Sequence, residues 1–302
     1  MDGVLAASGL AATETQCYTV RHVRTGRRPN GYDADLGVFA TFTMRFSHKR
    51  KKQCGRNTAG ANARYMPACR NRKEGALEMP ARPNVVVFDV LETLLNLDPL
   101  AERFEKVGQP ATLAGPWFMR FQRDAMALSL AGDAAPFEPV AREALRTESQ
   151  QTLSEDDIDY ILAGFASLPT FDDALPAMRT LSEAGIKVGC LTVGSADNTR
   201  AFLDGAGLLQ FVDHVVTAQA AGMWKPHPKI YHFAAEQLQT PLDRMALVAV
   251  HAWDCHGAKR VGALAGWCAR LELEPGDVFL PADVTGQTLT EVADKLVALG
   301  EP

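Results

Sequence analysis

The chain has 302 residues, 47% of them apolar and 22% charged, with a formal net charge of −5. That is enough for one full hydrophobic core plus a smaller unit. No apolar run approaches the roughly 20 residues of a membrane span, and Asp2 stands where a secretory signal carries basic residues, so we expect a soluble protein with no membrane partner.

The charge is unevenly shared. Residues 1–80 hold 14 Lys and Arg against 6 Asp and Glu, and the rest of the chain is acidic. Residues 1–78 show no helical or alternating period and contain the run Lys49-Arg50-Lys51-Lys52. We expect a disordered basic extension, or upstream sequence preceding a start at Met79, rather than a nucleic-acid site. Six cysteines lack CxxC or other metal-ligand spacing. They fit a reducing, cytoplasmic compartment, with Cys190 and Cys268 in apolar strand-like runs of the core.

From Asn84 onward, apolar strands alternate with helical patterns, which predicts an α/β fold: a doubly wound, Rossmann-like parallel sheet. Val85 to Asp89 reads as a strand buried on both faces. Four helical segments follow without a strand: Leu97 to Val107, Trp117 to Leu130, Pro139 to Gln150, and Ser154 to Phe165 behind a capping box at Ser154 and Asp157. That is too long for one crossover, so residues 98–170 are expected to form an inserted helical cap, and residues 79–97 with 171–302 the core. The alternation resumes with helix Asp172 to Ala184, strand Ile186 to Leu191 and helix Ala196 to Ala206. A strand near His214 to Thr217, helix His227 to Gln239, strand Met245 to Val250, helix Trp253 to Leu264, strand Trp267 to Arg270 and helix Leu289 to Leu299 complete it. Thr288 and Glu291 predict a second capping box.

Open α/β sheets gather their chemistry at the carboxyl ends of the strands. Here those ends supply Asp89, Thr192, the loop with Lys225, and the segment His251-Ala252-Trp253-Asp254. A desolvated carboxylate can act as a nucleophile, a lysine can neutralise the charges around it, and a second carboxylate can activate water. Each member alone has a plainer reading: a turn or helix cap for Asp89, a strand-end cap for Thr192, a surface lysine for Lys225, and a helix N-terminal acid for Asp254.

In order and spacing, Asp89 with Thr93, then Thr192, Lys225 and Asp254, the set resembles the haloacid dehalogenase superfamily over about residues 84–275. Phosphatase members of that superfamily place a second Asp two residues after the nucleophile and a pair of acids in the last motif to hold Mg²⁺. Leu91 and Val250 occupy the first of these positions and the earlier acid of the pair. Such a site would hold Mg²⁺ weakly and would leave an alkoxide without a proton donor.

The segments Phe88 to Leu95, Leu191 to Ser195 and His251 to Asp254 are instead similar to the type II 2-haloacid dehalogenases. That resemblance implies no metal and no cofactor, a small carboxylate substrate and a homodimer. It makes Asp89 the nucleophile, Lys225 its electrostatic partner, Thr192 a hydrogen-bond donor to it, and Asp254 the residue that positions or deprotonates water. It also implies a substrate-binding arginine in the first cap helices, for which Arg120 is the first choice and Arg123 the second. Thr93, Leu91, Val193, Ser195, His251 and Trp253 complete the expected substrate contacts. Val193, Leu91 and His251 stand where that family commonly has Asn, Tyr or Asn, and Asn. A Mg²⁺-dependent phosphatase and an inactive binding protein of the same fold are the alternatives.

Overall fold

The computed structural model describes residues 80–300, which lie within one compact unit. The basic arm and the choice of Met79 as a start lie outside the described residues.

Strand β1 (Val85–Asp89) is followed by the cap helices α1 (Leu100–Lys106), α2 (Ala114–Ala131), α3 (Phe137–Glu148) and α4 (Glu155–Ala163). The core continues through α5 (Ala174–Glu183), β2 (Lys187–Thr192), α6 (Ala196–Gly205), β3 (Val212–Thr217) and the short α7 (Ala218–Ala221). It closes with α8 (Pro228–Gln237), β4 (Met245–Ala249), α9 (Ala252–Arg260), β5 (Leu264–Cys268), β6 (Val284–Gly286) and α10 (Leu289–Val297). The six strands form one parallel sheet in the order β3-β2-β1-β4-β5-β6. All five residues of β1 are buried, as a central strand covered on both faces requires. The chain turns to opposite sides of β1 to build β2 and β4, so Asp89 ends the strand at the switch point, where a crevice opens.

Three elements differ from expectation. Helix α9 stops at Arg260 rather than Leu264, because Gly262, at φ 90°, turns the chain out of the helix. Leu264 to Cys268 then forms β5, so Arg270 lies past the strand. Strand β6, of three residues, is too short to give a sequence signal. At α10 the box closes by half: Thr288 accepts from Glu291 N–H, but the Glu291 carboxylate accepts from Gln287 N–H instead. The box at Ser154 and Asp157 closes on both sides.

The cap helices pack around Trp117, whose ring meets Phe104, Phe118 and Phe165 and whose indole N–H donates to Ala141 O at 3.0 Å. The two crossings between these helices and the sheet are tied together, Asn96 N–H to Pro169 O at 2.9 Å and Phe171 N–H to Leu94 O at 3.0 Å. Helix α2 meets the core where Phe121 packs edge-on to Trp224 and Ser129 Oγ accepts from Trp224 N–H at 2.8 Å.

Candidate active site

Strand β1 delivers Asp89 to the floor of a small cavity between sheet and cap. Lys225 Nζ donates to Asp89 Oδ1 at 2.5 Å and to Asp254 Oδ2 at 2.7 Å, bridging two buried carboxylates. Thr93 Oγ donates to Asp89 Oδ2 at 2.7 Å and itself accepts from Val250 N–H at 3.1 Å. Burial pushes the Asp89 carboxyl up, but the Lys225 charge and the neighbouring His251 outweigh it and hold the group well below its ordinary range. Asp89 is therefore held ionised, with its two oxygens fixed by Lys225 and Thr93.

Behind Lys225, Asp254 has no exposed surface. Its second oxygen accepts from Tyr231 Oη at 2.5 Å. Burial raises its pKa, and Lys225 offsets part of that rise. The Lys225 ammonium is penalised by burial, yet its two carboxylates raise it above its usual value, so it stays charged.

His251, at the N-cap of α9, is 5% exposed. Its Nε2 lies 2.7 Å from Glu92 Oε2, an oxygen that can only accept, so Nε2 carries a hydrogen. Its Nδ1 lies 3.3 Å from Asp89 Oδ2 but makes no hydrogen bond, and the ring faces the cavity beside Trp253. Burial lowers the imidazole pKa, but the Asp89 and Glu92 carboxylates more than reverse this and bring it to about 10. A raised pKa stabilises the fold below the ordinary value near 6.5 and loses that contribution as pH climbs towards 10. The denaturation midpoint is therefore expected to fall between pH 7 and 10, and comparison with His251→Asn, which lacks this slope, checks it.

Several expected contacts are rearranged. Thr192 does not hold the nucleophile; its Oγ accepts from Gly194 N–H at 3.0 Å, and Thr93 takes the place beside Asp89. Thr93 is fully buried, so it supports Asp89 instead of lining the cavity. Arg120 pairs with Glu148 on α3, and Arg123 with the adjacent Asp124. The wall of α2 that faces Asp89 consists of Phe118, Phe121, Gln122, Ala125 and Met126. Arg120 lies two residues from both Phe118 and Gln122, which at 3.6 residues per turn points it away from that wall. Ser195 caps α6 and lines a neighbouring cavity, with Thr192. Leu91, Val193, His251, Trp253 and Lys225 do line the Asp89 cavity, whereas Asp254 stands outside its lining.

Sequence reasoning missed three contributors. Glu92 adopts φ 65°, a left-handed backbone uncommon for a non-glycine residue, and from there its carboxylate meets His251. Tyr231 lies six residues after Lys225 and reads as one more core aromatic of α8. Gly257, in α9, leaves the space that Tyr231 fills: an added Cβ would collide with Tyr231 Oη and come within 2.8 Å of Pro226 Cβ. Gly257→Ala is expected to displace the tyrosine from Asp254 and lower turnover about tenfold or more at a stability cost of ~1–3 kcal/mol. Steady-state kinetics beside a denaturation curve measure both.

The donor set suits a metal poorly. Leu91 and Val250 offer no side-chain oxygen, and the two carboxylates that remain, Asp89 and Asp254, are joined by the Lys225 ammonium. Among the described residues no group of three or more His, Cys, Asp and Glu side chains is arranged to hold a metal ion.

A switch-point aspartate, a lysine bridge to a second carboxylate and a helical cap inserted after the first strand define a class of α/β hydrolases. The model of the haloacid dehalogenase-like hydrolases matches residues 83–262, and the chain belongs to that family. It is 27% identical to the (S)-2-haloacid dehalogenase H-109 of Pseudomonas putida, over 69% of this chain and 93% of that protein. To the (S)-2-haloacid dehalogenase of Xanthobacter autotrophicus it is 29% identical, over 72% and 92%. The crystal structure of the L-2-haloacid dehalogenase RSc1362 matches with a TM-score of 0.68 at 26% identity, covering 72% of this chain and 100% of that one.

Proposed function

We propose that the protein hydrolyses the carbon–halogen bond of small 2-haloacids through an ester on Asp89, with no metal ion. The observation that carries this reading is the ionised Asp89 carboxylate at the foot of a small cavity, with one oxygen on Lys225 and the other on Thr93. An Asp89 oxygen bonds to the halogen-bearing carbon as the carbon–halogen bond breaks, and halide leaves with the bonding pair. Halide needs no proton, so an apolar Leu91 near the nucleophile is no handicap. Water then attacks the ester carbonyl, the 2-hydroxyacid departs, and Asp89 is restored.

His251 supports the second step. Its Nδ1 stands 3.3 Å from Asp89 Oδ2, its ion-pair partner, and Glu92 orients the ring from Nε2, the relation of a general base to its orienting group. Once Asp89 is esterified its charge no longer holds the Nδ1 proton on His251; that proton passes to solvent, and the neutral ring can then accept one from the attacking water. Asp254, with one oxygen on Lys225 and the other on Tyr231, keeps the lysine in place. A cavity this confined, walled by Phe118, Phe121, Trp224 and Trp253, suits only a small substrate. The buried free thiols Cys190, Cys255 and Cys268 support a reducing, cytoplasmic setting, and among the described residues no helix is long and apolar enough to cross a membrane.

The test is chloride release from 2-chloropropionate in the presence of a chelator, beside phosphate release from a generic phosphate ester with Mg²⁺. Chloride release that survives chelation is the expected result. Phosphate release that requires Mg²⁺, with no chloride release, would overturn it.

A further inference from the structure

A 2-haloacid brings a negative charge into this cavity, and the charges already there leave little to receive it. Asp89 in the lining and, directly behind it, Asp254 and Glu92 supply three carboxylates; Lys225 and protonated His251 supply two cations, each already between two of those carboxylates. The balance is negative whichever state His251 adopts. Among the described residues no arginine lines the cavity. Those of the cap helices that come nearest in sequence are matched elsewhere, Arg120 to Glu148, Arg123 to Asp124, and Arg142 to Glu138 and Asp159.

The cap wall is instead apolar and aromatic apart from one side chain. Gln122 sits among Phe118, Phe121, Ala125 and Met126 and is the only polar cap residue that lines the cavity. It is half-buried, and none of its neighbours among the described residues takes up its amide. A primary amide carries both donors and an acceptor, so it can pair in two directions with another amide, whereas a carboxylate uses only its donors. Burying a further anion without a free cation is costly, and a neutral amide escapes that cost.

We propose that the pocket takes uncharged 2-haloamides at least as readily as 2-haloacid anions, with Gln122 pairing with the substrate amide. This rests on the Asp89 ester chemistry above and concerns only the group beside the reacting carbon. The bonds made and broken are the same: Asp89 oxygen to carbon as halide departs with its electron pair, then hydrolysis of the ester. The net change is haloamide and water to hydroxyamide, halide and a proton released to solvent.

Chloride release by the full chain from 2-chloropropionamide and from 2-chloropropionate decides it. The expected kcat/KM ratio of amide to acid is about one or greater. Gln122→Leu is expected to lower kcat/KM for the amide about tenfold, through KM, and to lower it by a smaller factor for the acid, which uses only the donors of Gln122. Gln122→Arg is expected to shift preference towards the acid by about tenfold. A wild-type preference for the acid of about tenfold or more, or an equal loss of both substrates in Gln122→Leu, would overturn the proposal. Binding of the unreactive propionamide and propionate, followed by quenching of Trp224 and Trp253 in the cavity wall, separates the two ideas. If neither substrate releases chloride, the Asp89 reading fails. Propionamide binding at least as tightly as propionate then still supports the proposal, and tighter propionate binding overturns it.

Discussion

Asp89→Asn is expected to abolish steady-state chloride release from 2-chloropropionate, by at least about 10³-fold, because an amide is a far poorer nucleophile than the carboxylate it replaces. The loss belongs to kcat and not to KM, since Asn is nearly isosteric and leaves Leu91, Val193, Trp253 and the cap wall in place. The substitution also takes one of the two anionic partners from Lys225. That residue keeps Asp254, so the variant is expected to fold, and circular dichroism beside the chloride assay distinguishes lost chemistry from lost structure. A variant that folds and retains more than a tenth of the wild-type kcat would mean that another group forms the bond.

Lys225→Met is expected to be the most destabilising single change at the site. It removes the ammonium between two carboxylates that are almost fully buried, leaving Asp89 and Asp254 without their shared counter-ion. Breaking a buried pair by deleting one partner typically costs ~3–5 kcal/mol, because a charge is left stranded in low dielectric. The penalty is relieved only by protonating a carboxylate. In the wild type, the depressed Asp89 pKa adds stability that is present above the ordinary carboxylate pKa and lost as pH falls through the folded value. The wild type keeps that contribution down to the ordinary carboxylate value near 3.8, whereas in Lys225→Met the stranded carboxylates take up protons already above it, so the stability gap between the two proteins should be wide at neutral pH and narrow on acidification. Urea denaturation at pH 7 and pH 4.5 measures this. A gap that does not narrow would show that the lysine contributes packing, not charge. Turnover in the same variant should fall by at least about 10²-fold, since an unpaired buried Asp89 is partly protonated.

The parts of this site that stand on regular elements were legible in the chain. The apolar run Val85 to Phe88 admits little other than a buried strand, and Asp89 follows it directly. The run of helices α1 to α4 after β1 was readable from helical periods too long to serve as one crossover, although the facing of those helices was not. Arg120 and Gln122 are both polar members of α2, and which of them looks into the cavity depends on how α2 seats against Trp224, a tertiary contact. The same holds for Thr93 and Thr192. Both are hydroxyls near a strand end, and only the register of β1 against β2 and β4 decides which reaches Asp89. Glu92 was the least legible residue, because its role depends on a left-handed backbone that a glutamate rarely adopts. Gly257 carries no sequence signal, because only the fold places Tyr231 in the space a methyl would take.

These residues divide the work between two sides of one carboxylate. Lys225, backed by Asp254 and Tyr231, holds one Asp89 oxygen and sustains its charge, while His251, backed by Glu92, waits beside the other.

The central claim is the ester on Asp89, and a single turnover in H₂¹⁸O with enzyme in excess over 2-chloropropionate tests it most directly. If water attacks the ester carbonyl, the heavy oxygen enters the Asp89 carboxylate, and the peptide containing Asp89 gains mass while the first lactate formed does not. Label found in the lactate, with the Asp89 peptide unchanged, would mean that water displaces the halide itself and would contradict the account.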